Sequence, residues 1–94
     1  MKAILPSARE ITVLRFLAWG HTNKEISERL NLSVKTVESH KSNAMRKLKL
    51  HNRASVVAYG VVQGWLQPDA DPVRNPQLIE QWRPRPLPEP VDAS

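Results

Sequence analysis

Ser33-Val34-Lys35-Thr36-Val37-Glu38-Ser39-His40-Lys41-Ser42-Asn43-Ala44-Met45-Arg46-Lys47-Leu48 is the stretch around which the rest of the chain is organised. Ser33 supplies the side-chain oxygen that caps a helix start. Thr36 stands three residues later, where a full capping box needs Glu or Gln. At about 100° per residue, Val37, Ala44 and Leu48 fall on one line of the helix, flanked by Val34, His40 and Met45. Lys35, Ser39, Ser42 and Arg46 fall on the opposite line. Glu38 and Lys49 lie at one of its edges and Thr36, Asn43 and Lys47 at the other. The first side asks for a core. The second is basic and dotted with Ser, Thr and Asn, which are poor helix formers. A helix in a DNA groove uses such residues well, because they reach base edges and phosphates without bulk. Taken alone, this helix fits a merely solvated face equally well.

Upstream, Ser7-Ala8-Arg9-Glu10 is a capping box that opens a helix with Ile11, Leu14, Leu17 and Ala18 at i, i+3, i+4 spacing. Val13 and Phe16 widen its stripe, and Gly20 suits the left-handed residue that ends it. Thr22-Asn23-Lys24-Glu25 is a second box, so another helix starts almost at once. It is short, with Ile26 and Leu30 inward, Glu25, Glu28 and Arg29 outward, and Asn31 as terminator. Two helices joined by a tight turn, the second of them basic, make a helix-turn-helix.

Downstream, Lys49 to Asn52 forms a turn and Arg53 to Gln63 a fourth helix ended by Gly64. This helix has too many apolar residues for one buried stripe. Ala54, Val57, Ala58 and Val61 share an arc that can close the core. Val56, Tyr59 and Gly60 lie on another, with Val62 between. An apolar arc left in water marks an interface unless Trp65 or the tail covers it. The expectation is a homodimer through Val56, Tyr59, Gly60, Val62 and Gln63.

Composition agrees with an anionic partner. The 94 residues carry a net charge of +5, and the charge is unevenly placed. Residues 1–66 hold eleven Lys/Arg against four Glu, while residues 67–94 hold three Arg against five acids. The folded half is the basic half, as nucleic acid or an anionic surface requires. There is no cysteine, no run of apolar residues long enough for a membrane span and no signal-peptide core, which points to the cytoplasm. His21, His40 and His51 lack metal-ligand spacing, so no metal or other cofactor is expected. No nucleophile–base pair or glycine-rich phosphate loop supports an enzyme. Seven of the eight prolines fall after residue 67, and Pro84 to Pro90 alternates proline with other residues, an extended pattern. Between them, Pro76 to Trp82 can form a short helix with Leu78, Ile79 and Trp82 on its apolar side. The division is a domain at 1–66 and a proline-rich tail at 67–94.

Asn23-Lys24-Glu25-Ile26, Ser33-x-Lys35-Thr36-Val37, His40, Ser42-Asn43, Arg46-Lys47-Leu48, Arg53 and Ser7-x-Arg9-Glu10 together resemble the LuxR/GerE-type DNA-binding domain, over roughly residues 5–66. The resemblance implies an all-α, four-helix bundle with a helix-turn-helix, its third helix in the major groove and its fourth pairing two protomers. By position it makes Lys35, Glu38, Ser39 and Ser42 base-contacting. Thr22, Asn23, Lys24, Thr36, Asn43, Arg46 and Lys47 become phosphate-contacting. His40 is read as structural, with its outer nitrogen on a phosphate, and Lys41 as reaching the DNA backbone from a stem laid along the core. The sequence departs from the family pattern at Lys41, where an aliphatic residue is usual, at Thr12, expected on the surface, and at Lys49, where Gly often stands. The function implied is a small stand-alone regulator of transcription, cytoplasmic and of bacterial or phage type, that binds double-stranded DNA. The competing class is a protein-interaction module using the fourth helix and the tail, with Leu78, Ile79 and Trp82 as partner contacts.

Overall fold

In the computed structural model, which describes residues 5–75, four helices follow one another: α1 (Ala8–Ala18), α2 (Asn23–Leu30), α3 (Val34–Leu48) and α4 (Arg53–Gln63). A single 3-10 turn follows at Pro68–Ala70, and there is no strand among the described residues. Each helix starts where a side chain satisfies a backbone donor that would otherwise be orphaned. Ser7 Oγ accepts the Glu10 N–H at 3.1 Å, while Glu10 Oε1 accepts the Ser7 N–H at 2.9 Å. Thr22 and Glu25 repeat this exchange at the head of α2. Ser33 caps α3 alone through the Thr36 N–H, and its hydroxyl donates to Thr36 Oγ1. Asn52 and Ser55 form a third reciprocal box on α4.

The ends are equally local. Asn31, Lys49 and Gly64 take left-handed conformations just past α2, α3 and α4, with φ of 56°, 58° and 79°. Lys49 carries a Cβ into that region at a cost of about 1 kcal/mol.

The core is built on α1. Ile11, Val13, Leu14, Phe16, Leu17 and Ala18 are all buried, joined by Ile26, Val37, Ala44, Val56, Tyr59 and Trp65. Beyond Arg9, even the polar residues of α1 are enclosed. Thr12, expected at the surface, is 3% exposed, and its hydroxyl donates to the Ala8 carbonyl at 2.8 Å. Arg15 is likewise buried, and its Nη2 donates to the Ala70 carbonyl at 3.0 Å.

The expected facing of α4 is reversed. Val56, Tyr59, Gly60 and Gln63, anticipated at a dimer interface, point into the domain, whereas Ala54, Ala58 and Val61 are exposed and Val57 is half-buried. Of the five anticipated residues only Val62 is open to solvent. The reason is Trp65. After Gly64 the chain turns back and seats the indole edge-on against Tyr59, with ring centroids 5.3 Å apart. A Cβ at Gly60 would lie 3.1 Å from the Trp65 ring and 3.4 Å from the Ala18 methyl, so any larger residue there presses on the indole.

The ordered body also runs past the expected boundary at residue 66. Trp19 Nε1 donates to the Trp65 carbonyl, Pro72 is fully buried and Val73 packs on the core. Residues 65–75 thus form a strap across α1. The expected helix at 76–82, with Leu78, Ile79 and Trp82, and the proline alternation at 84–90 lie outside the described residues.

Candidate DNA interface

Three residues, Asn31 to Ser33, join α2 to α3, and the turn is held by the Leu32 N–H on the Ser27 carbonyl at 3.0 Å. Val37 and Ala44 anchor α3 to the core with no exposure. Their placement fixes what the other side shows. Lys35, Glu38, Ser39, Ser42 and Arg46 are exposed on one continuous side of a 15-residue helix, about 22 Å long. Lys35, Glu38, Ser39, Ser42 and Asn43 line a shallow concavity along it. All four residues expected to face bases are therefore accessible and adjacent.

Thr36, His40, Lys41 and Asn43 are half-buried at the margins of this face. Thr22 and Lys24 are exposed and Asn23 half-buried at the start of α2, where unpaired N–H groups and the positive end of the helix dipole favour an anion. Glu38 forms no ion pair among the described residues. Lys35, Lys41 and Arg46 likewise form none there, so neither a Lys35–Glu38 nor a Lys41–Glu38 pair blunts the face.

Lys47 departs from expectation. Its ammonium lies 2.8 Å from Glu10 Oε1, and its side chain is 23% exposed against 8% for the carboxylate. It is turned toward α1 and not presented with Arg46. Burial acts to raise the Glu10 carboxyl. The Lys47 hydrogen bond, the Ser7 N–H and the attraction of Lys47 and His40 outweigh it and hold the group below the usual carboxylate range. Glu25 is also held low, by the Thr22 backbone and hydroxyl that it meets in its capping box.

Two contributors to the site were not assigned from sequence. Arg53 Nη2 donates to the Leu17 and His21 carbonyls, both at 3.1 Å, closing the end of α1 and steadying the loop that leads into Thr22. Asn52 and Ser55 place that arginine by starting α4 in register. The sequence signal for the second was an Asn-x-x-Ser spacing, a weaker variant of the Ser/Thr-x-x-Glu box. For Arg53 no local pattern exists, because its partners lie 36 and 32 residues away.

Residues 6–59 match the family model GerE, described as bacterial regulatory proteins, luxR family. The chain belongs to the luxR family. Within it, this chain is 53% identical over 53 residues to the Fimbriae Z protein of Salmonella typhimurium, a span covering 56% of this chain and 25% of that protein. It is 47% identical over 55 residues to the oxygen regulatory protein NreC of Staphylococcus carnosus, covering 58% of this chain and again 25% of the relative. The similarity therefore concerns one module of longer proteins. No solved structure matches. Membership makes this a DNA-binding helix-turn-helix domain of transcription regulators, in a regulatory family and not an enzyme family. No helix among the described residues is long and apolar enough to cross a membrane.

Proposed function

We propose that this chain binds double-stranded DNA in a sequence-specific manner, with α3 in the major groove and two protomers paired through α4. The observation that carries the reading is the exposed side of α3, where Lys35, Glu38, Ser39 and Ser42 stand together with no ion pair of their own among the described residues. Glu38 suits a cytosine amino group, and Ser39 and Ser42 suit either partner of a base pair. Thr22, Asn23, Lys24, Thr36, His40, Lys41, Asn43 and Arg46 surround them as phosphate contacts, which set register and the salt dependence. Pairing belongs to the outward stripe of α4, Ala54, Ala58, Val61 and Val62, whose two valines are 61% and 55% exposed.

Selection of bound sites from a random duplex pool tests the reading. Recovery of a consensus supports it, and failure to retain any duplex at low ionic strength sinks it. Val61→Asp with Val62→Asp should convert dimers to monomers in sedimentation. Dimers that persist place the pairing surface elsewhere.

A further inference from the structure

We infer that Lys47 is a positioning residue for the recognition helix and not a phosphate contact, acting through Glu10 of α1. The inference rests on the DNA-binding reading above and assigns one of its cations a different task. A single oxygen, Glu10 Oε1, accepts both the Ser7 N–H at 2.9 Å and the Lys47 ammonium at 2.8 Å. The same atom thus fixes the first turn of α1 and the last turn of α3. Each charge also sits where its own helix dipole favours it, the carboxylate at an N-terminus and the ammonium at a C-terminus.

The consequence for α3 is rotational. Val37 and Ala44 hold the helix along one buried line, with Met45 and Leu48 packed partly buried beside it, but Ala44 has only a methyl group and none of these apolar contacts is directional. The Lys47–Glu10 pair, one turn beyond Ala44, supplies a directional tether at the helix end. A roll of about 15° at a side-chain radius of 5–6 Å moves a tip by roughly 1.5 Å. That is enough to break a hydrogen bond from Ser39 or Ser42 to a base edge. Lys41 and Arg46, reaching phosphates on longer and more adaptable stems, tolerate it. Loss of the tether should therefore lower discrimination between sequences more than it lowers general attraction to DNA.

The full chain is tested on two duplexes of equal length, one recovered from a random pool by the wild-type protein and one scrambled. Lys47→Met and Glu10→Gln should each weaken binding to the selected duplex about tenfold and leave the scrambled duplex nearly unaffected. The double variant should be no worse than either single one. The slope of log affinity against log salt should stay unchanged for Lys47→Met, whereas a lost phosphate contact reduces it by about 0.9. Exchanging the charges, Glu10→Lys with Lys47→Glu, keeps net charge constant and should recover part of the discrimination. Circular dichroism confirms that each variant is folded, and an unfolded variant is replaced in the comparison by Lys47→Gln.

A reduced salt slope for Lys47→Met on both duplexes overturns the inference. So does a loss of selected-duplex affinity in Lys47→Met that Glu10→Gln does not share, or the absence of any loss in both. Wild-type protein that retains no duplex at low ionic strength overturns the DNA reading and this inference together. Wild-type binding with divergent variants overturns the inference alone.

Discussion

Helices α1 and α3 carry comparable chemistry and use it in opposite ways. From Glu10 to Ala18 every residue of α1 is buried, including Glu10, Thr12 and Arg15, and each of these meets a partner inside the molecule. Helix α3 is longer, yet only Val37 and Ala44 are buried, and the cations Lys35 and Arg46 face water without an ion pair among the described residues. Polar groups enclosed in a protein need internal partners, because an unmet one costs the full desolvation of the group. Polar groups left outside on a rigid helix remain available to something else. The central post is electrostatically closed and the helix beside it is open, with Lys47 the one α3 cation that crosses between the two.

The strongest way to break this contrast is to remove the packing that makes α1 a central post. Trp65→Ala should destabilise the domain by about 3–5 kcal/mol in urea unfolding, as expected for a fully enclosed indole. A loss under 1 kcal/mol would show that the strap is incidental to the core. On the open helix the expectation inverts. Arg46→Ala should leave stability within about 0.5 kcal/mol while lowering the salt slope of DNA binding by about 0.9. A large stability loss there would mean that the face is structural.

The pair that joins the two helices gives a pH signature. Because the carboxyl of Glu10 is held low in the folded state, its contribution is complete above the unfolded value near 4.5 and is lost as pH falls through the lower folded value. Glu10→Gln should flatten the acid side of the stability profile and cost on the order of 1–3 kcal/mol at neutral pH. An unchanged acid limb would place the linkage in other carboxylates, Glu25 first. The smallest effect concerns the end of α3. Lys49→Gly relieves a left-handed Cβ and should raise stability by about 1 kcal/mol in thermal unfolding.

The legibility of the chain follows from the same contrast. Helix α3 alternates cleanly between apolar and polar residues, so its period alone assigned the buried line through Val37 and Ala44. The capping boxes at Ser7 and Thr22 are complete within four residues and needed no tertiary knowledge. Helix α4 is apolar on nearly all sides, and a hydrophobic stripe cannot be chosen by period when two exist. Only the return of Trp65 onto Gly60 and Tyr59 selects the inward one. Thr12 and Arg15 were opaque for a related reason. A polar residue reads as exposed until the Ala8 and Ala70 carbonyls that receive it are known. Lys47 belongs by rotation to the edge of the basic face and by family resemblance to a phosphate, and no local spacing reveals Glu10, its partner 37 residues away.

The strap of residues 65–75 draws a distinction between inheritance and cooperativity. The stretch matched by the family model ends at residue 59, whereas the buried indole and proline ring of the strap come from positions 65 and 72. A polypeptide trimmed to that matched stretch would retain every residue proposed to touch a nucleotide, yet lack the indole that packs on Tyr59. Such a fragment should melt without a sharp transition, and the smallest independently stable piece of this chain therefore exceeds its recognisable module.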